Sequence, residues 1–286
     1  MKVITVGNTD FVVERKIDEM SRNPDRDRSK DEDVKLVIFS EGDKGYAPFL
    51  SSLAAVSNEG DLSLAVRIFS KTLSVTKDND IPEPVPPEWL MYLRENEEGE
   101  IILFLRITSL DDRTTWLAHY DMIKDIFNFI KYQMSDKTNL NISHLTYITS
   151  DVSSGKYFIA DSEVIVFNYR DEVGDKILSN KGHLINNEFT VYGLAWMFPY
   201  LFTAFTDNDA YIVFCSPGQE PINRHGMESL AEFFKETYGL ETTEMDKITI
   251  DNIATSIEMA ELAMRDDNDL FLFGDDDKWD SGGLSA

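Results

Sequence analysis

The amino-acid sequence predicts an α/β (α+β) protein: a mixed sheet with packed helices, a more divergent α/β region after it, and an acidic tail. Three observations predict it. Short apolar runs of strand length recur between polar turns. One segment, 116–134, carries a helical apolar stripe. A chain of 286 residues with 42% hydrophobic content is long enough to bury one large core or two modest ones.

Taken in order, Val3–Val6 and Val34–Phe39 read as strands, separated by the charge-rich loop SRNPDRDRSKDED (21–33). Phe49, Leu50, Leu53 and Val56 share one face of a predicted helix. Leu64–Phe69 reads as a strand. The stretch DNDIPEPVPP (78–87) must run extended, because proline fixes φ and disfavours helix in the residue before it. Leu90–Leu93 and Ile101–Ile107 are strands around the turn ENEEGE. In the long helix, Trp116, Tyr120, Ile123, Phe127, Ile130 and Met134 recur at spacings of four and three. Leu145–Ile148, Val164–Tyr169 and Tyr211–Cys215 read as strands, and 227–238 and 253–264 as amphipathic helices, the second with N-cap candidates Asp251 and Asn252. The densest apolar stretch, Phe189–Phe205, holds Gly193 and Pro199 and reads as buried core.

Charge and cysteine content narrow the function classes. The net charge is −25, from 52 acidic and 27 basic residues, which repels nucleic-acid phosphates and anionic membranes and attracts basic protein surfaces. No apolar run reaches the eighteen residues of a membrane span, and MKVITVGNTD is too short an apolar start for a signal peptide. The single cysteine, Cys215, excludes an internal disulfide and a multi-thiolate zinc site, and it suits a reducing cytoplasm. In the tail, RDDNDLFLFGDDDKWDSGGLSA, aspartates alternate with aromatics. Asp275, Asp276, Asp277 and Trp279 are the candidate contacts to a basic groove on a partner.

One stretch carries a family resemblance. FLSSLAAVSNEGDLSLAVRIFS (49–70) sets a helix, a polar turn and an arginine-bearing strand in order. Pro86-Pro87-Glu88-Trp89 follows, then a strand, the Gly99-Glu100 turn, and a strand leading to Ile107-Thr108-Ser109-Leu110-Asp111. The long helix and LNISHLTYITSD (140–151) complete the series. In this order and spacing, residues 49–158 resemble the thymidylate synthase family, which includes the deoxypyrimidine hydroxymethylases. The resemblance implies a thymidylate-synthase-like core over 1–162 with a shortened N-terminal part, a divergent α/β region over 163–264, and a tail over 265–286. It also implies a homodimer whose sheets pack face to face.

By that resemblance, Glu88 and Trp89 occupy the family's catalytic Cys-His positions, Arg67 a phosphate-binding arginine position, and Ser109 and Asp111 those of its Gln-Arg-Ser-x-Asp motif. His119 or Asp121 stands where the family has its base-reading asparagine. The family's reaction needs a thiolate to attack the pyrimidine C6, and a carboxylate at 88 is a far poorer nucleophile. Thr108 replaces a phosphate arginine, and Ser153 and Gly155 replace the ribose-binding His and Tyr. The expectation is therefore no catalytic residue and no cofactor, with Arg67, Ser109, Asp111, His119 and Asp121 a vestigial ligand site.

Other constellations are weaker. Arg224-His225-Gly226 matches the triplet of histidine phosphatases but opens a helix far from the N-terminus. The aspartate clusters lack EF-hand spacing, the four histidines lack metal-ligand spacing, and Gly7 and Gly45 stand alone rather than in a phosphate loop. Three functional readings follow. The first is a non-catalytic acidic protein, a pseudoenzyme on a degenerate thymidylate-synthase-like fold, that binds basic protein partners as a homodimer. A phage origin suits that combination. The second is an acidic nucleic-acid mimic. The third is a hydroxymethylase-type pyrimidine-nucleotide enzyme with Glu88 in a changed role.

Overall fold

The computed structural model describes residues 2–17, 32–40, 64–71, 88–107, 116–149, 152–154, 164–168, 189–191, 193–215, 224–240 and 255. The elements, in chain order, are β1 (Lys2–Val6), β2 (Thr9–Val13), β3 (Glu32–Ser40), β4 (Leu64–Ser70), β5 (Glu88–Glu95), β6 (Ile101–Ile107), α1 (Trp116–Gln133), β7 (Leu140–Thr149), β8 (Val152–Ser154), β9 (Val164–Asn168), β10 (Phe189–Val191), α2 (Gly193–Phe205), β11 (Asp209–Cys215) and α3 (Arg224–Tyr238).

Nine strands form one sheet in the order β1-β2-β4-β5-β6-β3-β7-β11-β9, and β8 pairs with β10 separately. Strands β6, β3, β7 and β11 run parallel at the centre of the nine. The flank from β1 through β5 to β6 is antiparallel throughout, and β9 closes the other edge antiparallel to β11. Parallel strands need cover on both faces, and their sequences read as near-continuous apolar runs. VKLVIF in β3 is such a run. Val34, Leu36 and Ile38 enter one core while Val37 and Phe39 enter the other.

Helices α1 and α2 cover the first face and α3 covers the second, so the sheet lies between two helical layers. The first core joins Leu103 and Leu105 of β6 and Leu145 and Tyr147 of β7 to Ile123, Ile126 and Ile130 of α1 and Phe198 and Phe202 of α2. Phe11 stacks on Phe129 with ring centroids 4.1 Å apart. The second core sets Ile102, Phe104, Ile148 and Val213 against Met227, Leu230 and Phe234 of α3. A bulge between Leu64 and Val66 puts both Ala65 and Val66 into the first core and returns Arg67 to the second face, beside its register partner Leu90.

Several sequence expectations hold, including the strand cores of β1, β3, β4, β6, β7, β9 and β11, the stripe of α1, and a tight turn at Gly99 (φ 79°) between β5 and β6. One differs. Residues 193–205, expected only as core, form a helix that carries Pro199 within it. The predicted helices at 49–56 and 253–264 lie outside the described residues, Thr255 apart, as do most of the loop at 21–33, the proline-rich connection at 78–87 and the tail. Strands β9 and β11 join the same sheet as β3 and β7.

Asp125 of α1 fastens the β1–β2 hairpin to the helix. Its Oδ2 accepts the Asn8 backbone N–H at 3.0 Å and the Thr9 hydroxyl at 2.9 Å. Burial pushes its carboxyl above the ordinary range, against the pull of those two hydrogen bonds. Gly7 makes the close approach possible. It has φ 56°, and a Cβ there would lie 2.3 Å from Asp125 Oδ1. Gly193 has a similar φ of 61° but open space around it. Gly7→Ala therefore adds a clash to the left-handed strain of about 1–2 kcal/mol that Gly193→Ala incurs alone. Thermal or urea unfolding of the two variants should show Gly7→Ala clearly the less stable. Equal losses would mean that the hairpin and α1 move apart at little cost.

Candidate functional site

The described residues that the family resemblance brought together do not share one face of the sheet, although Arg67 and Glu88 touch. Successive residues of a strand point to opposite faces, and Glu88 and Trp89 are successive in β5. Trp89 is fully buried in the first core, its ring 6.2 Å from that of Phe198. Glu88 lies on the second face, where its Oε1 accepts a hydrogen bond from Arg67 Nη1 at 2.8 Å. The two cannot act on one substrate. Arg67 also donates from Nε to Glu14 at 3.2 Å, and the hydrogen bond to Glu88 is the main reason its guanidinium is held above its ordinary pKa. It is engaged within its own chain.

His119 and Asp121 belong to α1, across the sheet from Arg67 and Glu88. Burial lowers the pKa of His119. Asp121 raises the pKa of Asp125 through its charge, a smaller effect than burial. The presumed site is thus divided by the sheet. Ser109, Asp111 and the tail contacts Asp275, Asp276, Asp277 and Trp279 lie outside the described residues. Among the described residues no group of His, Cys, Asp and Glu could hold a metal ion, and no helix is long and apolar enough to cross a membrane.

A polar network that the sequence reading did not foresee lies on the second face, toward the amino ends of the parallel strands. Glu100 accepts from Lys35 Nζ at 2.7 Å and from Asn96 Nδ2 at 2.8 Å. Asn96 Nδ2 also reaches the Tyr238 carbonyl at 2.8 Å. Burial pushes the Glu100 carboxyl up, but these donors outweigh it and hold it below its ordinary value. The Tyr238 hydroxyl lies 2.5 Å from Thr146 Oγ1, and burial drives its pKa upward. Lys35 Nζ sits 5.7 Å from the centre of the Tyr238 ring. Beside it His144 stacks on Tyr211, centroids 5.1 Å apart and planes at 14°. Burial, with smaller help from Asp209, raises the Tyr211 pKa to about 12. The network ties the end of α3 to the sheet. It forms a structural junction, beside which His144 Nε2 is buried without a hydrogen-bond partner. Helical or strand periodicity cannot reveal such a junction, because its partners come from five separate elements and turns.

The outer side of α2 is the other feature that stands out. Trp196 and Tyr200 are 42% and 44% exposed, and their rings stack 4.8 Å apart at 11°. The helix has no charged residue in its sequence GLAWMFPYLFTAF.

No family model matches the chain, and no curated protein matches it in sequence. Solved structures do match. A Pyrococcus furiosus archaeal proteasome activator, PbaB, is similar at 11% identity and a TM-score of 0.56, over 91% of this chain and 99% of that one. A Pyrococcus furiosus homologue of proteasome-assembly chaperone, PbaA, is similar at 14% identity and a TM-score of 0.53, over 90% and 99%. A Mycobacterium tuberculosis proteasome-assembly chaperone homologue is similar at 11% identity and a TM-score of 0.50, over 82% and 94%. At such identities the likeness is one of fold.

That fold corrects the thymidylate synthase resemblance. The pseudoenzyme and hydroxymethylase readings built on the resemblance fall with it, as does the phage origin. The nucleic-acid mimic drew on charge alone and has no counterpart among these likenesses. The expected face-to-face packing of sheets is also corrected, since helices cover both faces of the sheet.

His144 gives this region a pH signature. Burial lowers its pKa from the ordinary 6.5, ahead of the upward pull of Asp209. Below pH 6.5 the unfolded chain therefore takes up protons that the folded chain refuses, and stability falls as pH falls through that window. The urea midpoint should drop between pH 7.5 and 5.5. His144→Phe keeps a ring to stack on Tyr211 and should flatten the drop, leaving the part due to His119, whose pKa burial also lowers. An unchanged slope in His144→Phe would show that His144 remains as free to protonate as in the unfolded chain.

Proposed function

We propose that this chain is a non-enzymatic, chaperone-type protein-binding factor, and that its partner is a protein with a basic surface, such as an unassembled proteasome subunit. One observation carries the reading: the whole-fold likeness to a proteasome activator and to proteasome-assembly chaperone homologues, spanning nearly the full length of both chains. It is in keeping with the site geometry, in which Glu88 and Trp89, at the resembled family's Cys-His positions, stand on opposite sides of the sheet. The charge of −25 supplies the means of recognition. A strongly negative surface steers a basic partner to it and repels nucleic acid and anionic lipid. The acidic-aromatic tail, with Asp275, Asp276, Asp277 and Trp279, is the proposed contact segment. The reading places the protein in the cytoplasm, in keeping with its single cysteine.

The test uses the full chain and the purified proteasome α and β subunits encoded in the same genome, measured by native mass spectrometry and by the rate of core-particle assembly. The expected result is a complex with one subunit type and a changed assembly rate, with affinity falling at least tenfold between 50 and 500 mM salt. No complex with any subunit at micromolar concentration and no effect on assembly would overturn the proposal.

A further inference from the structure

The solvent side of α2 has a pattern that the proposed function does not use. Gly193, Trp196, Tyr200 and Ala204 are all exposed, and their spacings of three, four and four set them in one stripe along the helix. The stacked aromatic pair occupies the middle, with a small residue at each end. The opposite side of α2 is committed to the first core through Ala195, Met197, Phe198, Leu201 and Phe202. The helix ends on Phe205, 50% exposed, whose ring centroid lies 6.5 Å from that of Tyr120 on α1.

The occupant of this stripe follows from charge. A basic partner gains from carboxylates, and α2 has none to offer. Two copies of the chain, each at −25, repel one another wherever their acidic surfaces face. They can approach where both surfaces lack charge, and there apolar burial acts without the cost of desolvating carboxylates. Closed dimers are commonly two-fold symmetric, so that residue i meets j while j meets i. With the axis at Tyr200, two antiparallel α2 helices set Trp196 of one copy over Ala204 of the other. The large side chain then fills the space that the small one leaves.

We propose that the Gly193–Trp196–Tyr200–Ala204 stripe is a homodimer surface, in which two α2 helices pack antiparallel about a two-fold axis at Tyr200. The proposal stands apart from the partner reading, and the two are told apart by salt. Screening weakens binding to a basic partner but strengthens the contact between two like-charged copies.

The experiment is sedimentation of the full chain from 1 to 100 μM at 50 and 500 mM salt. A dimer is expected, with a dissociation constant at least threefold lower at high salt. The double variant Trp196→Glu, Tyr200→Glu should be monomeric throughout while keeping the circular dichroism of the wild type, since neither side chain belongs to the buried core. In a Cys215→Ser background, Tyr200→Cys should couple to itself with a short bis-maleimide faster than Glu228→Cys, which places the thiol on the exposed side of α3. A chain that is monomeric at every concentration, a dimer that salt weakens, a dimer that survives the double variant, or equal coupling at both cysteines would each overturn the proposal.

Discussion

Strand β3 is the constraint on which the rest of the structure depends. It pairs in parallel with both β6 and β7, and it is buried on both faces. A strand so placed cannot leave one side of the sheet to solvent, so both sides must be roofed. Helices α1 and α2 roof one, and α3 the other. Two cores result, separated by the sheet, and each alternation along a central strand chooses between them. The same alternation decides the chemistry, because neighbouring residues of a strand are assigned to different compartments.

That is why the fold class was legible while the site was not. The stripe of α1 and the apolar runs of β3, β6 and β7 are local signals, and each survived into the structure. The pair Glu88-Trp89 was read as a unit because it is a unit in sequence. Its position in β5 separates the two residues by the thickness of the sheet. Because β5 begins at Glu88, two residues before Leu90, the alternation of the strand already sends Glu88 and Trp89 to opposite faces. The ordered series of helix, turn and strands that suggested thymidylate synthase is common to many α/β chains, and without its site residues it fixes no family.

Helix α2 was hidden for a different reason. Gly193 and Pro199 both lower helix propensity, and the segment is apolar nearly all round, which blurs the helical period. Tertiary packing overrides both signals. Phe198 contacts Trp89, Phe127 and Tyr147, and Phe202 contacts Phe127. The Thr203 hydroxyl donates to the Pro199 carbonyl at 3.0 Å within the same helix. The signal that was available is the i, i+4 pair Trp196 and Tyr200 in a run without charge. The contacts of Asp125 with Asn8, and of Tyr238 with Thr146, were beyond reach of any local pattern, since they join residues 117 and 92 positions apart.

The position of the polar network bears on what kind of protein this is. In open α/β sheets, ligands bind outside the carboxyl ends of the parallel strands, where the loops can converge on them. The network of Lys35, Asn96, Glu100, Tyr238 and Thr146 lies toward the amino ends instead, and its donors and acceptors are directed at one another. Its carboxylate is held by an ammonium and an amide, and its buried hydroxyl is shared with a threonine. These contacts are made between side chains and backbone of the same chain and join α3 to the sheet. This polar interior docks α3 on the sheet, and the outer surface offers two contrasting features: abundant carboxylates and, among the described helices, the uncharged aromatic α2.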